Sequence, residues 1–300
     1  MFDVITFGSA TIDMFAETGL SEKGKFMAYP VGDKILLKDL KFSVGGGGTN
    51  TAVAFSRLGF KTGFIGKLDN SFGGKNILEL LKKEKVKFLG AVEKNSDSSG
   101  GYSIILDSKE KDRTVLTYKG ISDSLKFDEI KIKKIKTKWV YLSSSLGKSL
   151  ETQKKVAKIF HENGVKIAFN PSSYLIKKEN IAEILKLTDI LILNKEEAKL
   201  LTKENNLLAG LKKLGPKIVV ITNDKETVYA YDGKKNYSIS PRKIKVVEKT
   251  GAGDAFASGF VAGQIVGRSI DESLKLGLDE SEAVIKHFGA KNNLLRRKLK

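Results

Sequence analysis

The chain contains no cysteine. That one absence removes disulfides, thiol catalysis and cysteine zinc sites together. Histidine is nearly missing as well, with only His161 and His287, so a histidine-rich metal cluster is disfavoured and any metal is expected to be a hard ion held by oxygen. Long apolar runs are lacking: the least polar stretch, Ala255 to Val266, is rich in Gly and Ala and shorter than a bilayer requires. The opening MFDVITFGSATIDMF has no basic segment ahead of its apolar residues and carries Asp3 and Asp13 among them, unlike a secretory signal. A cytoplasmic protein with no membrane partner is the expectation. Arginine is scarce too. Of 53 basic residues set against 35 acidic ones, six are Arg, and the net charge is +18. Base edges and phosphates are recognised best by the forked guanidinium. The lysines instead fall in short runs such as Lys82-Lys83, Lys133-Lys134 and Lys177-Lys178, spaced like solvated helix faces. This argues for a solvated surface that attracts anionic substrates, and against a nucleic-acid partner.

What is present is a 300-residue chain, 41% hydrophobic, able to bury a full core. Strand-like apolar runs alternate with helical patterns, the signature of parallel βαβ units. Strands are expected at 3–8, 62–66, 139–143, 166–170, 189–194 and 217–222, with helices over 51–58, 72–83, 150–162, 196–201, 254–266 and 271–288. Such folds bind ligands beyond the carboxyl ends of their strands. Two segments break the rhythm. Lys25 to Phe42 reads as a pair of short strands around Pro30 to Asp33, and Gly101 to Tyr118 as a β-hairpin around the polar Ser108 to Asp112. Together they are expected to pair into a small sheet inserted in one α/β domain spanning residues 1–300.

Thr250-Gly-Ala-Gly-Asp254 opens directly into a helical pattern after a strand-like Lys245 to Val247. A glycine turn at a helix N-terminus exposes backbone N–H groups at the positive end of the dipole, a site for a phosphate or a developing oxyanion. There Asp254 can take a proton from an attacking hydroxyl while the N–H groups of Gly251, Ala252 and Gly253 hold the charge of a transferred phosphoryl group. The plainer account makes Asp254 a helix cap. A second glycine cluster, Val44-Gly-Gly-Gly-Gly-Thr-Asn50, precedes another helix. Its glycines let the backbone approach a ligand, and Asn50 offers a donor and an acceptor to hydroxyls. The spacing is not that of a dinucleotide fold, since the sixth position from Gly45 is Asn50. Leu142 to Ser149 ends like a P-loop but begins on Leu142 where glycine is required.

In this order the two glycine motifs resemble the signatures of the PfkB (ribokinase-like) family of carbohydrate kinases. The likeness extends over nearly the whole chain: Gly8-Ser-Ala-Thr-Ile-Asp13, Gly66 to Gly73, Asn194-Lys-Glu-Glu197 and Gly289-Ala290 each match a family element. The resemblance implies a three-layer α/β/α ribokinase-like fold with a mostly parallel central sheet and a small β-sheet lid, through which a homodimer can form. It implies ATP-dependent phosphorylation of a sugar hydroxymethyl group, with Asp254 as base and Asp13, Gly46, Gly47 and Asn50 on the sugar. Asn194 and Glu197 would lie near the phosphates, Glu197 ordering the water shell of Mg²⁺. Thr222 and Asp279 would lie on the nucleotide. A nucleoside kinase of the same family, or a non-catalytic sugar-binding regulator, are the alternatives.

Two departures bear on cofactors. Glu248-Lys249-Thr250 replaces the family's Asp-Thr-Thr, which leaves activation by a monovalent cation in doubt, and no glycine follows Thr222, where Asn223 to Thr227 stands. Gly47 occupies the region where sugar-phosphate kinases often place Lys, which tilts the acceptor toward an unphosphorylated sugar or a nucleoside.

Overall fold

The computed structural model describes residues 1–24, 26–94, 99–109, 113–224 and 226–300. In chain order the elements begin β1 (Phe2–Phe7), β2 (Thr11–Glu17), β3 (Asp39–Gly45), α1 (Gly47–Arg57), β4 (Thr62–Ile65), β5 (Lys67–Asp69), α2 (Phe72–Lys83), β6 (Lys87–Phe88), β7 (Ala91–Glu93), β8 (Gly101–Asp107) and β9 (Arg113–Tyr118). They continue β10 (Thr137–Ser143), α3 (Gly147–Glu162), β11 (Lys166–Asn170), α4 (Ser173–Lys178), α5 (Ala182–Leu187), β12 (Ile190–Asn194), α6 (Lys195–Leu201), α7 (Leu207–Lys212), β13 (Ile218–Thr222), β14 (Val228–Tyr231), β15 (Asn236–Ile239), α8 (Ala252–Ile265) and α9 (Ile270–Val284).

The expected apolar strands lie side by side in a sheet of order β15-β14-β13-β12-β11-β10-β1-β4-β6. From β13 to β6 every pairing is parallel, while β14 and β15 add an antiparallel edge that the sequence patterns did not reveal. Both faces are covered, which is why these strands read as continuous apolar runs and not as alternating ones. Ile5, Phe7, Leu191 and Leu193 pack on one side with Val156 and Phe160 of α3. Their neighbours Val4, Ile190 and Ile192 pack on the other with Phe55 of α1 and Phe256 and Phe260 of α8. Helix α8 is buried along most of its length between the sheet, α1 and α9, consistent with its apolar residues all round. Burying each such side chain contributes roughly 1.5–3 kcal/mol, so this sandwich supplies most of the driving force for the fold. No helix among the described residues is long and apolar enough to cross a membrane.

A second sheet of order β3-β2-β8-β9 stands apart from the first. It differs from the expected pairing in a specific way. The 25–42 segment supplies one strand rather than two, β3, and no strand forms around Pro30 to Asp33. Strand β2, which carries Asp13, lies between β3 and β8 and joins the two segments. Lys25 and residues 110–112 of the expected hairpin turn lie outside the described residues. Register places Ser43, Asp13, Ser103 and Thr117 in one row across the four strands, and Phe42, Met14, Ile104 and Leu116 in the adjacent row. Because side chains alternate across a strand, the two rows face opposite ways.

The strand-like 245–247 run is not a strand. It bends at Val247, and the N–H groups of Val247 and Glu248 both donate to the carbonyl of Ile285, at 2.8 and 3.2 Å.

Candidate active site

Five strands of the main sheet deliver a polar residue at or just past their carboxyl ends: Ser9 after β1, Ser143 on β10, Asn170 on β11, Asn194 on β12 and Thr222 on β13. All five line one cleft of about 380 Å³, where a parallel sheet is expected to bind its ligand. Asp13, Ser103 and Thr117 from the second sheet form the facing wall, so the polar row of that sheet looks into the cleft.

At the cleft floor the two glycine motifs meet. Helix α1 begins inside the first, and a side chain on Gly47 would fall 2.2 Å from Ser143 Oγ and 3.4 Å from Asp254 Oδ1, so it would displace the serine hydroxyl and crowd the carboxylate. Helix α8 begins inside the second, with Gly251 as its N-cap at φ 82°, a left-handed conformation natural to glycine. There the Cα of Ala290 would lie 2.7 Å from an added Cβ. Asp254 is therefore in the first turn and is not the cap. Its Oδ2 accepts a 2.7 Å hydrogen bond from Asn50 Nδ2, 204 positions away. Part of its surface remains open to the cleft, yet its depth raises its pKa by desolvation, opposed by the Asn50 bond and by Lys291. Asp13 is buried and accepts from Thr11 Oγ1 at 2.9 Å; burial raises its pKa as well, again opposed by Lys291.

Asn194 and Glu197 reach the cleft as a capping box at the start of α6. Asn194 Oδ1 accepts from Glu197 N at 2.8 Å, and Glu197 Oε2 accepts from Asn194 N at 3.0 Å. Glu197 Oε1 takes the N–H of Ser173 at 3.1 Å, and desolvation raises the pKa of this carboxyl. Both oxygens of Glu197 already accept from backbone, an arrangement that suits contact with a metal through water. Among the described residues no three carboxylates or imidazoles converge to cage an ion. The donor set fits a hard cation held chiefly by phosphate and solvent. Gly46, Gly47, Gly251, Gly253 and Thr222 line the cleft as expected, but two residues do not. The N–H of Ala252 donates to Lys249 O at 3.2 Å and Ala252 is absent from the lining. Asp279 stands away from the cleft, its carboxylate paired with Arg242 at 2.7 Å and Arg297 at 3.5 Å.

Three basic residues that motif reading passed over sit at or beside this site. Lys291 is buried, and its Nζ donates to Asn50 Oδ1 at 2.5 Å and to the carbonyl of Val44. Lys119, just past β9, is the one cation among the described lining residues and donates to Tyr174 OH at 2.8 Å. Arg113 of β9 pairs with the buried Glu248 and donates to Thr250 Oγ1 at 2.8 Å. Only Lys291 had a sequence cue, its position directly after Gly289-Ala290.

Comparison with known proteins agrees with this geometry. Residues 1–297 match the pfkB family carbohydrate kinase pattern. An uncharacterized sugar kinase of Archaeoglobus fulgidus is 30% identical over 253 residues, covering 81% of this chain and 99% of the relative. A 5-dehydro-2-deoxygluconokinase of Clostridium beijerinckii is 31% identical over 301 residues, covering 92% and 84%. In fold, the ribokinase of Thermotoga maritima superposes with a TM-score of 0.84 at 20% identity, covering 99% of this chain and 97% of that one. The fold is ribokinase-like, and the chain belongs to the pfkB family of carbohydrate kinases.

Proposed function

We propose that the enzyme transfers the γ-phosphoryl group of ATP to a hydroxymethyl group of a sugar, with Asp254 as general base. The observation that carries this reading is the 2.7 Å Asn50–Asp254 bond, which fixes a carboxylate in the first turn of a helix at the floor of a polar cleft. The acceptor hydroxyl, held by Asp13 and Asn50, gives its proton to Asp254 as its oxygen attacks the γ-phosphorus, and the bond from that phosphorus to the β–γ bridging oxygen breaks to release ADP. The N–H groups of Gly251 and Gly253, at the positive end of α8, receive the charge on the transferred group. Bound Mg²⁺ would supply charge neutralisation on the phosphates, with Glu197 and Asn194 facing its water shell. Thr222 would stand on the nucleotide side. ATP-bound and ADP-bound relatives of the same fold, a ribokinase II of E. coli and a ribokinase of Cryptococcus neoformans, support the donor.

The wall formed by Asp13, Ser103, Thr117 and Lys119 is polar, which favours a polyhydroxylated sugar over a nucleoside base as acceptor. ADP release measured over ribose, fructose, 2-keto-3-deoxygluconate, 5-dehydro-2-deoxygluconate, adenosine and cytidine tests this. A sugar is expected to give the highest kcat/KM. Preference for adenosine or cytidine would replace the sugar reading by the nucleoside one, and no turnover with any acceptor would favour a binding protein. We place the enzyme in the cytoplasm, where its nucleotide substrate is plentiful.

In this reading the second sheet is a lid that keeps water from the phosphoryl group and limits ATP hydrolysis. Its outer row supports a dimer contact: Phe42 is 64% exposed and Leu116 51%, an apolar pair without cover on the same face. Light scattering is expected to give a dimer for the native chain and a monomer for Phe42→Ser with Leu116→Ser. A native monomer at micromolar concentration would exclude the contact.

Glu248 already has a cation, the guanidinium of Arg113, and it accepts from Thr250 N and Oγ1 at 2.8 Å each. Replacing K⁺ by Na⁺ in the assay is therefore expected to leave turnover unchanged. A strict K⁺ requirement would show that the ion binds elsewhere.

A further inference from the structure

We propose that Lys291 positions the base: its ammonium fixes the amide of Asn50 so that the NH₂ group, and not the oxygen, meets Asp254, and it is the shared counter-charge of Asp13 and Asp254. The inference rests on Asp254 being the base and goes beyond it.

An ammonium has only donors, so the Asn50 atom at 2.5 Å from Lys291 Nζ must be the oxygen, and the opposite atom, 2.7 Å from Asp254 Oδ2, must be nitrogen. One proton-bearing group thus dictates the orientation of a second, which holds the third. Occupying Oδ2 in this way leaves Oδ1, the oxygen nearer Gly47, to receive the acceptor's proton. The lysine is itself held. Its backbone carbonyl accepts from Arg57 Nη1 at 2.6 Å, and Ala290 beside it packs on Gly251 at the N-cap of α8. Its side chain is buried at 5% exposure, an unfavourable place for an ammonium unless carboxylates face it.

Asp13 of β2, Asp254 of α8, Arg57 of α1 and Glu84 just past α2 are the charged groups that act on Lys291. Asp254 in turn faces Lys291 and Asp13, and across the cleft Glu197 of α6 and the phenol of Tyr141 on β10. Burial lowers the Lys291 pKa to about 8, and the two aspartates oppose that fall. The signs follow. Removing the ammonium leaves two carboxylates facing each other and raises the pH at which Asp254 ionises, while in the native enzyme loss of the Lys291 proton near pH 8 removes that counter-charge and leaves an amine that can accept as well as donate, so it no longer dictates which way the Asn50 amide faces.

The test is the pH profile of kcat/KM from pH 5 to 10 for the native enzyme, Lys291→Met, Lys291→Arg and Asp254→Asn, with ATP affinity by calorimetry and folding by circular dichroism. A native alkaline limb near pH 8 is expected. Lys291→Met is expected to move the acid limb up by about one pH unit or more, to lose the alkaline limb and to bind ATP normally. Lys291→Arg keeps the charge, so its acid limb stays and its alkaline limb disappears. A folded Lys291→Met with the native profile overturns the proposal. If Lys291→Met does not fold, Lys291→Arg decides, and an unchanged limb near pH 8 overturns it; failure of both to fold assigns Lys291 to the core alone. Near-normal turnover of Asp254→Asn would remove the base itself, whereas inactive Asp254→Asn with an unaltered Lys291→Met removes only this proposal.

Discussion

Asp254→Asn is expected to abolish phosphoryl transfer while leaving a folded protein that binds ATP and acceptor. The two side chains have nearly the same shape, and the Asn amide can still present its oxygen to Asn50 Nδ2, so the 2.7 Å contact survives. What is lost is the capacity to accept a proton. Removing a general base costs about 10²- to 10⁴-fold in rate, and one acting beside backbone donors for the phosphoryl oxygens belongs toward the upper end. Stability should change little, for two opposing reasons. A negative charge in the first turn of α8 is favoured by the helix dipole by roughly 0.3–1 kcal/mol, and the substitution forfeits it. Against this, a carboxyl whose folded pKa lies above its unfolded one binds its proton more tightly when folded. Its ionisation at neutral pH therefore costs stability, in full above the folded pKa, and Asn removes that cost. Turnover on the best acceptor, with calorimetry and circular dichroism, checks the prediction. Loss of fold would make Asp254 a structural residue.

Asp13→Ala is expected to weaken acceptor binding and leave ATP affinity nearly intact. Asp13 points from the second sheet into the cleft, fixed by Thr11 and opposite the Lys291 charge. A site built to bond hydroxyls discriminates strongly, because the group left behind is buried and unpaired; here the loss in kcat/KM for the acceptor should be about 10²-fold or more. Lys291 also loses one of its two counter-charges, so part of the effect should appear in kcat. Asp13→Asn, which keeps the shape, separates lost hydrogen bonding from collapse of the β2–β3 pairing. Equal losses in ATP and acceptor affinity would make Asp13 structural.

The βαβ rhythm and both glycine motifs were legible in the sequence because each rests on local chemistry. Apolar strands buried on two faces read as unbroken runs, and a glycine-rich turn before a helix is a local pattern whose residues here line the cleft. Helix α2 was expected at 72–83 and is found there, with Ser71 capping it. The failures share a different cause. Strand β2 was hidden because its seven residues follow β1 almost directly and, being largely buried between β3 and β8, show no regular alternation of apolar and polar residues. Asp279 was assigned to the nucleotide by position in a family pattern, but Arg242 and Arg297, which hold it, come near only in three dimensions. Lys291 follows the Gly289-Ala290 pair directly, but it is one lysine in a chain crowded with them, and that position alone does not distinguish a buried ammonium from a solvated one.

The alternation within the second sheet separates two properties that usually interfere. Ser103 and Thr117 line the cleft, while Ile104 and Leu116, their immediate neighbours in the chain, look away from it. If the proposed acceptor site and dimer contact hold, acceptor choice can change at one set of positions and association at the other, without either change disturbing the backbone pairing they share. An insertion of one residue near the start of β8 would exchange the faces of Ser103 and Ile104, so such a sheet tolerates substitution far better than it tolerates a change of length.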